Sequence, residues 1–252
     1  MAALPIVAGT VGLARQGDSP ALTHSVGGLL RVCVSGLLFV GIFLGAAWLF
    51  SRASKDDLLL RWRPGYWVLP LGALYSVAIR LILFMASVIL LLLVVAFLKV
   101  SVAQVQAFAV DHRPRIEKLL DPQALTENPA YFWLNVTLVS FVIGGLREEL
   151  WRSSFLAGLR ALWPRTFGSA NGGVLAAGVA ALFFGFAHAP QGWLGVAIVT
   201  VVGFLLGVIM NLHRSVWPSV LAHGFFDAMS MAAIPWALRH FPELHQLPHG
   251  AG

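Results

Sequence analysis

Six residues in the second half of the chain have types and spacings that could do chemistry: Glu148, Glu149, Arg152, His188, His223 and Asp227. Between Tyr131 and Leu238 the acidic residues are Glu148, Glu149 and Asp227 alone, and all three lie within or beside apolar runs. A carboxylate in hydrocarbon is costly unless it is paired or faces water, so its presence inside a span points to function. The bland reading of Glu148 is an ion pair with Arg152, four residues on and on the same helical face. That reading leaves Glu149, turned by about 100° on a regular helix, without a local basic partner. His223 and Asp227 share a face at a spacing of four, and His188 closes the run Phe183-Phe184-Gly185-Phe186-Ala187.

Each histidine alone reads as a packing residue. Together with paired carboxylates on another helix, the histidines form a candidate acid–base set. One of two adjacent carboxylates in a pocket of low dielectric can accept a proton from water, and histidines opposite can orient that water or steady an oxyanion. The combination suits hydrolysis of an amide. A serine mechanism is less attractive, because Ser153 and Ser154 have no base at helical spacing. Two histidines and a glutamate are also a catalytic zinc ligand set. No H-E-x-x-H helix is present to support that reading, however. The single cysteine, Cys33, excludes an intrachain disulfide and a cysteine metal cluster.

The elements that must position these residues are membrane helices. Of 252 residues, 58% are hydrophobic and 11% are Asp, Glu, Lys or Arg, and the mean hydropathy is +0.81. A soluble domain carries roughly 25% charge, so the composition implies a multi-pass integral membrane protein of the cell membrane, with the lipid bilayer as its surroundings. The net charge of +6 and pI near 10.2 fit basic loops that orient spans and meet anionic headgroups. No basic run is interleaved with exposed aromatics, which argues against a nucleic-acid partner.

About 20 mainly apolar residues cross the hydrocarbon. By that measure the spans are Val32 to Phe50, Tyr66 to Leu98 as one kinked helix or two pieces, Tyr131 to Trp163, Gly172 to Ala187, Trp193 to Leu212, and Val216 to Ala237. The expected fold is all-α, a multispanning membrane helix bundle with about six to eight transmembrane helices. Residues 1–130 read as a polar lead-in, transmembrane helices and a soluble loop from Lys99 to Ala130; 131–238 as the catalytic helical core; and 239–252 as a polar tail. Leu4 to Ala14 is apolar, but no basic residue precedes it and Gly and Pro interrupt it, which argues against a secretory signal. The Lys and Arg of the loops divide evenly between the two sides, and the density in 51–65 favours that loop for the cytoplasm. Glu148 falls near the middle of its helix, with His188 and His223 roughly 10 Å or less from the midplane, so three helices can aim these groups into one cavity.

Glu148-Glu149 followed by Arg152, then Phe184-x-x-x-His188, then His223-x-x-x-Asp227, in this order in apolar helices, resembles the CAAX prenyl endopeptidase and bacteriocin-processing group of intramembrane glutamic proteases, also called the abortive-infection family. The resemblance covers about residues 131 to 237. It implies that the first glutamate activates water with help from His188, that His223 and residue 227 support the oxyanion, and that no metal or other cofactor is obligatory. The family motif has three residues between the glutamate pair and its arginine, whereas here Leu150 and Trp151 alone separate Glu149 from Arg152. Aligning the pair makes Glu148 the water-activating residue. Aligning Trp151-Arg152-Ser153 with the family's aromatic-Arg-Gly instead puts Arg147 in that place. The first is preferred, because the second leaves no base there. Asp227 stands where asparagine is common, so it is either a protonated donor or a group that orients His223.

The resulting expectation is an intramembrane endopeptidase that uses a glutamate-activated water to cut a membrane-associated protein or peptide. A prenylated tail, a leader peptide and a C-terminal sorting tail are all compatible substrates. The competing readings are a non-catalytic pseudoprotease or partner-binding membrane protein and a proton-coupled transporter; the latter predicts internal repeats or paired broken helices, which the sequence does not display.

Overall fold

Long runs without charge become long helices because a chain in hydrocarbon must satisfy its backbone hydrogen bonds internally. The computed structural model describes residues 25–51 and 53–240; most of the expected lead-in and tail lies outside the described residues. The main helices are α1 (Val26–Ser51), α2 (Val68–Leu98), α3 (Val102–Asp111), α4 (Pro122–Glu127), α5 (Pro129–Leu162), α6 (Pro164–Phe167), α7 (Ala170–Phe186), α8 (Trp193–His213) and α9 (Trp217–His240). No strand occurs among the described residues, and the chain is a multispanning helical bundle. Among the described residues, four helices, α1, α2, α5 and α8, are long and apolar enough to cross a membrane. α7, with 17 residues, is shorter. α9 interrupts its apolar residues with Ser219, His223, Asp227 and Ser230.

The stretch Tyr66 to Leu98 resolves into one helix, α2, entered through a 3-10 turn at Gly65–Trp67. The expected soluble loop from Lys99 is partly helical. Ser101 caps α3 with a reciprocal Gln104 contact, and Asp121 caps α4 by accepting from the Gln123 and Ala124 amides.

Helix α5 departs most from regular geometry. Its first turn is α-helical, Asn135–Glu148 is a π-helix, and Glu149–Leu162 is α-helical again. π-helical turns are rare, short and concentrated at functional sites, so a run of 14 residues marks this helix out. The Ser140 hydroxyl supports the wider spacing by donating to the Asn135 carbonyl five residues back, at 2.7 Å.

Packing around α5 is close. A Cβ at Gly144 would collide with the Asp227 carboxylate, and one at Gly145 would lie 2.7 Å from the Val220 carbonyl, so these two glycines let α5 and α9 approach backbone to backbone. Leu29 and Cys33 of α1 join Tyr131, Val139 and Ile143 of α5 and Met231 of α9 in a buried cluster. α2 lies against α9, where Gly72 meets Leu221.

The turn before α2 is tied to the α8–α9 turn. The Leu59 carbonyl accepts from the Val216 amide at 2.8 Å, the Leu60 carbonyl from Trp217 Nε1 at 3.0 Å, and the Arg61 carbonyl from Ser215 Oγ at 2.8 Å. Leu59 takes a left-handed backbone (φ 54°) and is buried among Phe155, Leu156, Leu159 and Val216. At the edge of this turn, hydrogen bonds from Ser54 hold the Asp57 carboxyl below its ordinary value. These contacts put 53–63 and 213–217 on one side, as the connectivity requires. On the other side, the Arg115 amide donates to the Gln191 carbonyl at 3.0 Å.

Candidate active site

At the end of the π-helical segment the two adjacent glutamates separate. Glu148 is its last residue and Glu149 the first of the α-helical continuation. Glu149 is completely buried. It accepts hydrogen bonds from the Arg152 guanidinium, three residues on, and from His223 Nδ1 at 2.8 Å. The bland reading, an Arg152–Glu148 pair, is not the one formed. Positions three apart share a helix face as well as positions four apart, and the buried Arg152 meets the buried carboxylate. Glu148 pairs instead with its neighbour Arg147, whose guanidinium donates to Oε1 at 2.8 Å.

The rest of the site is built on these two pairs. A carboxylate accepts only, so His223 Nδ1 carries the hydrogen it gives to Glu149 and Nε2 is left facing Glu148 and Asp227. Nε2 lies 3.9 Å from Glu148 Oε2 and 3.7 Å from Asp227 Oδ2. The same logic applies to His188, whose Nδ1 donates to the Phe184 carbonyl at 2.8 Å. Its Nε2 is also left free, and its side chain lies within electrostatic reach of Glu148. Phe184 stands between the two imidazoles, with ring centroids 4.7 Å from His188 and 6.2 Å from His223. Its face also receives the Arg152 guanidinium at 4.4 Å, a cation–π contact.

Arg152 fits because α8 presents glycine to it. A Cβ at Gly203 would lie 3.4 Å from Nη2, and one at Gly207 3.7 Å from Cδ. Within the described residues Arg152 Nε and Nη2 find no hydrogen-bond partner. The contact with Phe184 and the pair with Glu149 are what hold its charge.

The structure thus gathers Glu148, Glu149, Arg152, His188, His223 and Asp227 from α5, the end of α7 and α9. Asp227 is less closely engaged than its spacing suggests. Its oxygen is too far from Nε2 for a direct hydrogen bond, and the group that fixes His223 at Nδ1 is Glu149. Two members of the neighbourhood escaped the sequence-based set. Arg147 was legible as the residue beside Glu148. Arg80 was legible as the one charge inside the apolar stretch of α2. Among the described residues, no group of three or more His, Cys, Asp or Glu side chains is arranged to hold a metal ion.

The arrangement is a set of carboxylates, guanidinium groups and two imidazoles carried by α5, α9 and the turn after α7, residue types capable of acid–base chemistry. Residues 129–229 match the family model described as type II CAAX prenyl endopeptidase Rce1-like. The matched segment begins at the start of α5, ends within α9 and contains all six residues. The match agrees with the resemblance carried by the three motifs. Among curated proteins and among solved structures, none matches the chain.

Proposed function

We propose that the protein hydrolyses a peptide bond of a membrane-associated protein or peptide with a water activated by Glu148. The observation that carries this reading is the division of labour between the two glutamates. Glu149 is buried and committed to Arg152 and His223, whereas Glu148 is partly accessible and has Oε2 directed to His223 Nε2. A base must reach a water and a carbonyl carbon, and Glu148 is the one of the pair with room to do so.

In the mechanism, a water between Glu148 and the imidazoles gives a proton to the Glu148 carboxylate as its oxygen attacks the scissile carbonyl. His188 Nε2 accepts the water's second hydrogen and so aims its lone pair. Protonated His223, held at Nδ1 by Glu149, donates Nε2–H to the oxyanion as charge develops. Glu148 then passes its proton to the leaving amine, and the carboxylate is regenerated. Arg152 acts on Glu149 and not on the substrate, so it is a positioning residue.

The test is hydrolysis, in liposomes, of a quenched-fluorescent peptide ending in farnesyl-cysteine, two aliphatic residues and a variable residue, alongside comparison of membrane-protein termini in cells with and without the gene. Glu148→Gln should abolish cleavage in both assays while inserting and unfolding like wild type. Equal cleavage by wild type and Glu148→Gln overturns the reading, and cleavage lost in Glu149→Gln alone reassigns the base.

A further inference from the structure

Charge bookkeeping around the site leaves one carboxylate to explain. Glu148 is paired with Arg147, and Glu149 with Arg152. Asp227 has neither a guanidinium on α9 nor one on α5. The charged and titratable groups that act on it are His223 on its own helix, Glu148 and Glu149 on α5, and Arg80 on α2. Two of these are negative. The cation not already committed to another carboxylate is Arg80.

Arg80 is itself anomalous. It lies in the middle of the most apolar helix of the chain, where a guanidinium is retained only with a partner or a water-filled cavity to face. It donates to the Phe226 carbonyl and, at 3.2 Å, to Ser230 Oγ, and its guanidinium stands 4.2 Å from the centroid of the Phe226 ring. Phe226 is the residue before Asp227. Ser230 follows Asp227 by three, and His223 precedes it by four, so His223, Asp227 and Ser230 form one stripe of α9. Ser230 Oγ in turn donates to the Phe226 carbonyl at 2.8 Å. Arg80 therefore grips α9 at the turn that carries Asp227.

We propose that Arg80 is the counter-cation of Asp227 and a positioning residue for the hydrolytic site, supplied by a helix outside the matched segment 129–229. With it, three carboxylates face three guanidinium groups, and the site is neutral apart from its imidazoles. The aspartate at a position where the resembled family often has asparagine and the arginine inside α2 are then one feature: the acid is tolerated because α2 brings its cation. An asparagine at 227 would make no such demand.

This inference rests on the proposed hydrolytic reading, and its test is a double-mutant cycle on the full chain in liposomes with the farnesylated peptide as probe. Arg80→Met should lower turnover by about tenfold with KM little changed, the scale on which residues behind the reacting groups act. In the Asp227→Asn background the same change should cost less than about threefold, because the charge it balanced is gone. Arg80→Lys, which keeps the charge but not the planar fork, should recover part of the loss when Asp227 is present and none when it is Asn. Equal losses in both backgrounds, or no loss in either, overturn the inference while leaving Glu148-dependent cleavage intact. If Arg80→Met fails to accumulate in membranes, accumulation of Arg80→Met/Asp227→Asn supports the pairing, and failure of both overturns it. A wild type that cleaves nothing removes the hydrolytic reading and this one with it.

Discussion

Helices α2 and α5 have the same role in sequence terms, each a long apolar stretch holding a charge, yet they are built on opposite plans. α2 is the most apolar helix in the bundle, and none of its most apolar stretch is buried. α5 is less apolar, and more than a third of the corresponding stretch is buried. In water the apolar helix would be the core. In a bilayer the hydrocarbon is as apolar as leucine, and burial is left to small and polar residues that bring helices close or bond across them. The exposed Leu81, Phe84, Leu90, Leu92 and Phe97 of α2 are its contact with lipid. The buried Asn135, Ser140, Gly144, Gly145 and Glu149 of α5 are its contact with protein.

The comparison is sharpened first by removing the base. Glu148→Gln should lower turnover by about 10² to 10⁴-fold, the range general-base catalysis contributes, with the thermal midpoint in detergent unchanged. A midpoint that drops as far as activity would make Glu148 a packing residue. His223→Ala follows, with a loss of about 10²-fold or more and a larger effect than His188→Ala, because His223 is fixed by Glu149 whereas His188 sits in the turn after α7. Initial rates of the two variants on the same peptide decide their order.

Next comes stability. Removing one partner of a buried pair strands the other charge, so Arg152→Met should destabilise by about 3–5 kcal/mol, read as loss of the folded fraction in a denaturant series in detergent. Gly144→Ala, which drives a methyl group into Asp227, should cost about 1–3 kcal/mol and impair cleavage as well. At the small end, Leu90→Ala on the lipid face of α2 should stay within about 0.5 kcal/mol. If Leu90→Ala proves as harmful as Gly144→Ala, the opposition between the two helices fails.

How much of this was legible depended on whether local spacing or a distant partner decided the matter. The long apolar runs gave the helices because hydrophobic length is a local property, and the scarcity of acids made Glu148, Glu149 and Asp227 conspicuous. The sequence could not say which glutamate Arg152 meets, because spacings of three and four are both good helical neighbours, and burial, which the sequence does not display, chose between them. The π-helical segment was hidden for a related reason. Gly144-Gly145 hinted at close approach, but hydrophobic spacing carries no mark of a widened turn. Distance in sequence likewise concealed the partner of Arg80, a turn that lies 146 residues further on.

The placement of Arg80 also has a consequence for biogenesis. Translation delivers α2 to the membrane long before α9, so its guanidinium enters the bilayer ahead of the residues it bonds. Until α9 follows, α2 must stay near water, shift its arginine toward a headgroup, or remain beside the insertion machinery. The contacts of Leu59, Leu60 and Arg61 with Val216, Trp217 and Ser215 close only at that late stage as well. The bundle is therefore completed only when α9 is in place.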